Sequence, residues 1–569
     1  MYFPKLSPLK QKMLTISAFG GYNRNHRIAD GEFFDMENLT SDGYPVLMPR
    51  QGRSLYATCA CGGMLDKDCL CYVSGQDLVI NGFPVELDLS PGEKQLVSMG
   101  AYVVIFPDKK YVNTLDHSDR GSLEARFVTT GPVGICLCLS DGTILTEIAR
   151  GERPEEPSDR QYWLDGEEKK LQQYSAQTDA WTPVENTCLR LSSPGIGAAF
   201  SVGDGVILSG VTVEELNTAA VIRAKGENFV VIPGFLPEDV TQEPSQGAIT
   251  LERPVPEMDF VIQADNRLWG CRYGPDRAGN VVNELYACKL GDFKNWYCYQ
   301  GISTDSYCVS LGADGPFTGA VTYLGFPLFF RENCLHKVYG SYPADYRIQT
   351  TACRGVQKEC HKSLAIVDEV LYYRSPEGIC GYDGSLPVCV SGALGKTRYF
   401  RAVGAGHNSK YYVSMEEEAG DSHLFVYDTR RKLWHREDSL KAKMLCSSGG
   451  DLYAGVEGEI LCLTGPSQET VHWSAQTGPL SPADPHKRYI SRITPRLYLE
   501  PGARVSVCVR YDGIGGWEPL ATVSGKGLRS FSLPMNTRRC DYLELRLQGV
   551  GQGRLYSLTL TTEQGGDGL

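Results

Sequence analysis

The residues best equipped for chemistry fall into a few short groups. Gly392-Ala393-Leu394-Gly395-Lys396-Thr397 has the lysine and threonine of a phosphate-binding loop, in which backbone N–H groups and the lysine face the anion. Such a loop needs a glycine at 390, where Val390 stands, and a helix start behind it. Arg398-Tyr399-Phe400-Arg401 reads as strand instead. Cys59, Cys61, Cys69 and Cys71 put four thiols close together in sequence. Side chains two apart on a strand share a face, so a zinc site of four thiolates is open to them, but zinc knuckles use C-x-x-C on a turn. The C-x-C spacing favours ordinary strand thiols, and Cys136/Cys138 is a further pair of the same kind.

The nine histidines are scattered, with no H-x-x-x-H or H-E-x-x-H, and there is no G-x-S-x-G elbow. Asp292, Asp314, Asp383 and Asp428 stand at turns, where a carboxylate caps backbone N–H groups. Trp296-Tyr297-Cys298-Tyr299 and Tyr372-Tyr373 could stack on sugar rings, although alternating burial on strands explains the same pattern. No residue is assigned a catalytic, cofactor-binding or metal-binding role. The expectation from these motifs is a protein that is not an enzyme and carries no cofactor.

The elements that would position these groups are short strands. Sixty-two Gly, 31 Pro and 31 Tyr in 569 residues, spread along the chain, favour many turns and half-buried pleated faces over long helices. Residues 264–296 show the pattern most clearly. Asp265-Asn266 turns the chain, 267–273 and 283–290 read as strands, and Gly291-Asp292 turns again to deliver Trp296 into the next strand. This is the rhythm of one blade of a β-propeller. Trp181 and Trp434 follow similar turns.

The expected architecture is all-β: a propeller of about six to eight blades, split by a small inserted β-barrel and followed by a β-sandwich. Residues 1–50 form an extended N-terminal arm, with 32–38 able to make one helical turn, that lies across a neighbouring domain or subunit. Residues 51–186 are the first part of the propeller, 187–260 the inserted barrel, 261–466 the second part and 467–569 the sandwich, whose seven alternating segments fit one such domain.

The formal charge of −12 argues against a protein that coats nucleic acid or docks on anionic lipid. The charge is uneven. Residues 467–569 carry 12 Lys and Arg against 9 Asp and Glu, a net of +3, which leaves −15 on the rest. Ten of those cations are arginine, which suits docking against an acidic partner or a second copy of the chain. The twenty cysteines lie mostly alone within strands and behave as small apolar residues in a reducing compartment. No signal-peptide segment begins the sequence and no apolar run is long enough to span a bilayer, so membrane insertion is not expected.

One set of residues carries a resemblance. Phe19-Gly20-Gly21-Tyr22-Asn23, Ile28-Ala29-Asp30-Gly31-Glu32-Phe33, Asp35-Met36-Glu37-Asn38-Leu39, Asp42-Gly43 and Pro49-Arg50 resemble the opening of phage and prophage structural proteins of Gram-positive bacteria. The type is the tail-nozzle and neck-connector β-propeller. Asp265–Trp269, Lys289-Leu290-Gly291-Asp292-Phe293-Lys294-Asn295-Trp296, Thr304–Tyr307 with Asp314-Gly315-Pro316-Phe317-Thr318-Gly319-Ala320, Arg538-Arg539-Cys540-Asp541 and Leu555-Tyr556-Ser557 resemble the same group. The resemblance implies a virion protein assembled in the bacterial cytoplasm. It would act as a homo-oligomeric ring that conducts or retains DNA, in contact with other tail or neck proteins, while viral DNA passes through transiently. An acidic body would let the genome slide without binding it. The alternative is a receptor- or glycan-binding tail protein.

Overall fold

The computed structural model describes residues 10–165, 170–184, 187–276, 279–312, 315–480, 488–536 and 538–564. Asp314, the ends of the N-terminal arm and of the sandwich, and the expected boundary at residue 186 lie outside them. Among the described residues there is no α-helix, and helical turns are three-residue 3-10 segments. No helix is long and apolar enough to cross a membrane. The all-β expectation holds.

Six sheets among the described residues are four-stranded antiparallel meanders in chain order, because each pair of apolar-alternating segments is joined by a tight polar turn. Gly75, Gly82 and Gly291 take positive φ at such turns, as do Asp265 and Asn266. A seventh follows it with one change. Of the six, Cys61–Asp66, Leu70–Ser74, Asp77–Ile80 and Phe83–Glu86 make one, and Gln95–Met99, Tyr102–Phe106, Lys110–Asn113 and Arg120–Ser122 the next. Phe260–Ala264, Arg267–Pro275, Val281–Ala287 and Tyr307–Ser310 follow, and then Gly319–Tyr323, Phe326–Phe330, Cys334–Tyr339 and Arg347–Ala352. Ala365–Val367 to Val388–Cys389 and Tyr399–His407 to Leu433–Arg436 form two more. The seventh is assembled differently. Met444–Ser448, Asp451–Gly455 and Ile460–Cys462 take their fourth strand, Ser54–Ala57, from the opposite end of the chain.

The chain divides into two compact units. One holds Met1–Glu86, Phe330–Leu335 and Thr351–Leu569, the other Leu87–Phe329 and His336–Thr350.

In the second unit the departure from the meander plan begins at Ala125, earlier than the expected 187. Ala125–Val128 pairs with Thr250–Arg253, so everything between them is one excursion. It contains a four-stranded and a five-stranded sheet over a shared apolar core that includes Ile135, Leu189, Leu208, Val230 and Leu251. A second four-stranded sheet, Ile148–Arg150 to Ala180–Pro183, carries Trp181. The hairpin of Tyr162–Asp165 with Lys170–Ser175 is real but does not continue the meander series, and Val133–Cys138 pairs with Cys188–Ser192 and Val240–Gln242, meeting the expected 143–148 only at a bridge between Cys138 and Ile144. Local alternation is identical in a blade and in any other half-buried hairpin, and only the distant partner of Ala125–Val128 separates the two.

In the first unit the segment 467–569 does not complete its sheets alone. Lys10–Ile16 pairs with Leu558–Gln564 across seven residues, and Glu32–Glu37 pairs with His472–Thr477. Glu32–Glu37 is therefore a strand, not a helical turn. The two resulting six-stranded sheets each bury one face, as the alternation of Arg504–Tyr511 shows.

Leu251 is fully buried beside Leu208 and opposite Phe127. Leu251→Ala should cost about 2–5 kcal/mol of local stability. Hydrogen exchange should show amides of Cys188–Ser192 and Phe229–Pro233 losing protection while Tyr399–His407 keeps it.

Candidate functional site

A cleft of about 870 Å³ opens in the second unit where the root of the excursion faces the meander of residues 260–310. Its floor is Pro254-Val255-Pro256, the segment by which the chain leaves the excursion. Ala125–Val128 and Thr250–Arg253 supply one wall, and their register places Arg126 opposite Glu252, whose Oε1 lies 2.7 Å from the arginine Nε. Glu124 and Glu257 converge on the Lys109 ammonium at 2.7 and 2.9 Å, and that ammonium also donates to the Val255 carbonyl at 2.8 Å.

The other wall is Arg272, Glu284, Tyr286 and Tyr297. Arg272 is held by Asp259 at 2.7 Å. The Tyr286 hydroxyl donates to Glu284 Oε2, and Ser310 Oγ donates to Oε1 at 3.4 Å. Burial, reinforced by the Glu284 hydrogen bond, pushes the Tyr286 hydroxyl far above its ordinary value, so it stays a donor. Burial likewise pushes Tyr297 up to about 12. The cleft therefore offers carboxylate acceptors, guanidinium donors and neutral phenols, with most charges already paired. None of its four glutamates stood out in the sequence, because they come from separate segments. The signals were Glu252 and Glu257 flanking the proline-marked exit, and Tyr297 inside the aromatic run.

The sequence-singled groups mostly prove structural. Trp296 is buried and donates to the Phe293 carbonyl at 3.0 Å, in a turn tightened by Asn295 donating to Asp292 at 2.6 Å. It precedes the fourth strand rather than lying in it. Tyr372 stacks on Tyr411 at 5.5 Å, and Tyr373 donates to the Arg354 carbonyl at 2.6 Å. Asp383 accepts from the Ser385 N–H at 3.1 Å, the turn-capping role expected of it. Cys61 and Cys71 face different partners, Ser74 and Leu65, and burial pushes their thiols up to about 11 and about 12. Among the described residues no three His, Cys, Asp or Glu side chains gather to hold a metal. Of the C-terminal arginines, Arg510 bonds Glu544 at 2.5 Å, and Arg510 and Arg546 lie 4.8 and 4.3 Å from the Trp517 ring.

The 392–397 loop has a job in the first unit. Gly392–Leu394 is a three-residue 3-10 turn, and its Ala393 and Gly392 carbonyls accept from Arg24 N and Asn25 Nδ2 at 2.7 and 3.1 Å. It holds the arm. The other conspicuous arm residues do the same. Gly21, at φ +84°, passes so close to Trp434 that a Cβ would lie 2.3 Å from its carbonyl oxygen. Gly31, at φ +94°, meets the Ala18 carbonyl in the same way. Glu32 Oε2 accepts from Asn23 Nδ2 at 2.9 Å and from Ala29 N at 2.7 Å. Asn38 Nδ2 donates to the His472 carbonyl at 2.8 Å, Arg50 Nε donates to Asn38 Oδ1 at 2.7 Å, and Arg50 pairs with Glu469 at 3.2 Å.

Beneath the arm, Lys410 bonds Asp42 at 2.6 Å and Thr40 at 2.9 Å, while Ser41 donates to Asp428 at 2.7 Å. Burial pushes the Asp42 and Asp428 carboxyls up, but Lys410 on one and Ser41 with Arg431 on the other hold both below the usual range. His435 is buried beside them, and burial lowers it to about 3.

No family model matches the chain, and no curated protein matches it. Solved structures do. An exo-β-1,3-galactanase of Phanerochaete chrysosporium, solved with galactose, is 10% identical over 53% of this chain and 94% of its own, with a TM-score of 0.21. The acylaminoacyl peptidase of Pyrococcus horikoshii is 10% identical over 55% and 56%, with a TM-score of 0.23. A glycoside hydrolase family 43 arabinoxylan arabinofuranohydrolase of Bacillus subtilis, in complex with cellotetraose, is 8% identical over 52% and 94%, at 0.17. Overlaps this low assign neither substrate nor residues. All three are enzymes, however, and the expectation that this chain is not an enzyme is corrected on that finding. Missing motifs are no ground for excluding catalysis, because catalytic groups are grafted onto shared scaffolds from scattered positions.

Gly21→Ala should destabilise the docked arm by about 1–3 kcal/mol, since alanine resists this φ and its Cβ meets Trp434; urea unfolding measures it. Asp42 and Asp428, lowered in the folded state, stabilise above their unfolded values and lose that contribution as pH falls through their folded ones. His435 acts with the same sign, from an unfolded value of about 6.5 down to about 3. Protection of Glu32–Glu37 amides should therefore fall between pH 6.5 and 3, and His435→Phe should flatten the upper part of that fall.

Proposed function

We propose that the chain is a structural protein of a phage or prophage tail or neck, acting as a homo-oligomeric ring that conducts or retains DNA. The observation that supports this best is the arm. The residues that resemble tail-nozzle and neck-connector proteins include Gly21, Asn23, Gly31, Glu32, Asn38, Asp42 and Arg50, and these make the close approaches and bonds that lock residues 20–50 in place. A motif that encodes a clamp is what an assembly protein requires.

In this reading each of the seven four-stranded sheets of the meander plan is a propeller blade. Ser54–Ala57 joins the first and last segments of the series and leaves no open edge there. The two sheets of the excursion form a small barrel, and the two six-stranded sheets a β-sandwich completed by the arm. The −15 outside residues 467–569 lets a phosphate backbone pass without sticking.

The test is location. In particles from the phage or prophage that encodes the chain, mass spectrometry should find it at several copies per particle, and gold-labelled antibody should mark the tail tip or the neck. Particles that lack the protein, or label confined to the capsid, overturn the proposal.

A further inference from the structure

We infer that the cleft at the root of the excursion binds a neutral oligosaccharide. The inference rests on the cleft alone and stands whether or not the chain is a virion protein. At about 870 Å³ the cleft is the size of a small-molecule site and has room for a short chain of sugar rings.

Its chemistry narrows the ligand. Glu252 is engaged by Arg126, Glu124 and Glu257 share Lys109, and Arg272 is engaged by Asp259. An anionic ligand would have to break these pairs to gain a partner of its own, which costs desolvation on both sides, and a cation would have to compete with the Tyr286 and Ser310 hydroxyls for Glu284. A polyhydroxylated ligand need break none. Each carboxylate keeps lone pairs that accept from a hydroxyl, and a guanidinium holding one carboxylate still has N–H groups to donate. Arg126 and Glu252, with side chains 66% and 37% exposed, present a donor and an acceptor side by side, as vicinal hydroxyls require. Opposite them stand Tyr286 and Tyr297, whose rings supply apolar surface for the C–H faces of a sugar and whose hydroxyls stay protonated.

Saturation-transfer difference NMR on the full chain, with neutral trisaccharides of glucose, galactose, mannose and N-acetylglucosamine, tests this. At least one should bind. Glu252→Gln and Tyr297→Ala should each weaken it roughly tenfold, the effect of losing one hydrogen bond to a charged group or one stacking surface. Tyr498→Ala, which removes an exposed tyrosine on a different sheet, should change nothing. Glu252 lies at the surface, so its glutamine variant folds even if Tyr297→Ala does not. The inference is overturned if no trisaccharide binds, if Glu252→Gln binds as the parent does, or if spermine or inorganic phosphate displaces the sugar.

Discussion

Backbone pairing between the two ends of the sequence holds the first unit together. Ser54–Ala57 lies on Ile460–Cys462, Glu32–Glu37 on His472–Thr477, and Lys10–Ile16 on Leu558–Gln564. An unpaired edge strand presents a row of open N–H and C=O groups, which invites foreign strands. Here each of three edges is covered by a strand from the far end of the same chain. The side chains follow from this constraint. Gly21 and Gly31 let the arm pass close to other backbone, and Asn38, Asp42 and Arg50 satisfy polar groups that docking would otherwise bury unpaired.

That constraint also explains why the resembling residues looked chemically mute. In a linear reading Asn23, Glu32 and Arg50 are polar residues without a reaction to perform. In the folded chain they are bonded to one another or to residues such as Glu469 and Asn38. Gly392–Leu394 is a similar case. It resembles part of a phosphate loop, yet its carbonyls, not its N–H groups, meet the partner, and that partner is the arm.

Local features were readable and distant ones were not. The hairpins were legible because their turns use Gly and Asx residues at positive φ between alternating apolar runs, as at Asp265-Asn266 and Gly75. The start of the excursion was missed by a wide margin, at 125 instead of 187, because nothing in Ala125–Val128 reveals that Thr250–Arg253 is its partner. Residues 32–38 could be read as one helical turn or as extended chain, and only pairing with His472–Thr477 makes Glu32–Glu37 a strand. The cleft was invisible for the same reason. Glu124, Glu252 and Glu284 are ordinary surface glutamates until three segments meet around Pro254-Val255-Pro256. Tyr297 alone had been noticed, as an aromatic among aromatics.

The pairing of Lys10–Ile16 with Leu558–Gln564 has a consequence for biosynthesis. A ribosome adding roughly 5–20 residues per second needs on the order of half a minute to two minutes to get from the first of these strands to the second. Throughout that interval the arm has left the ribosome while its partner does not yet exist. A chain interrupted before Leu558 would display a naked strand and be open to capture by chaperones. The edge is sealed only once Leu558–Gln564 has been made.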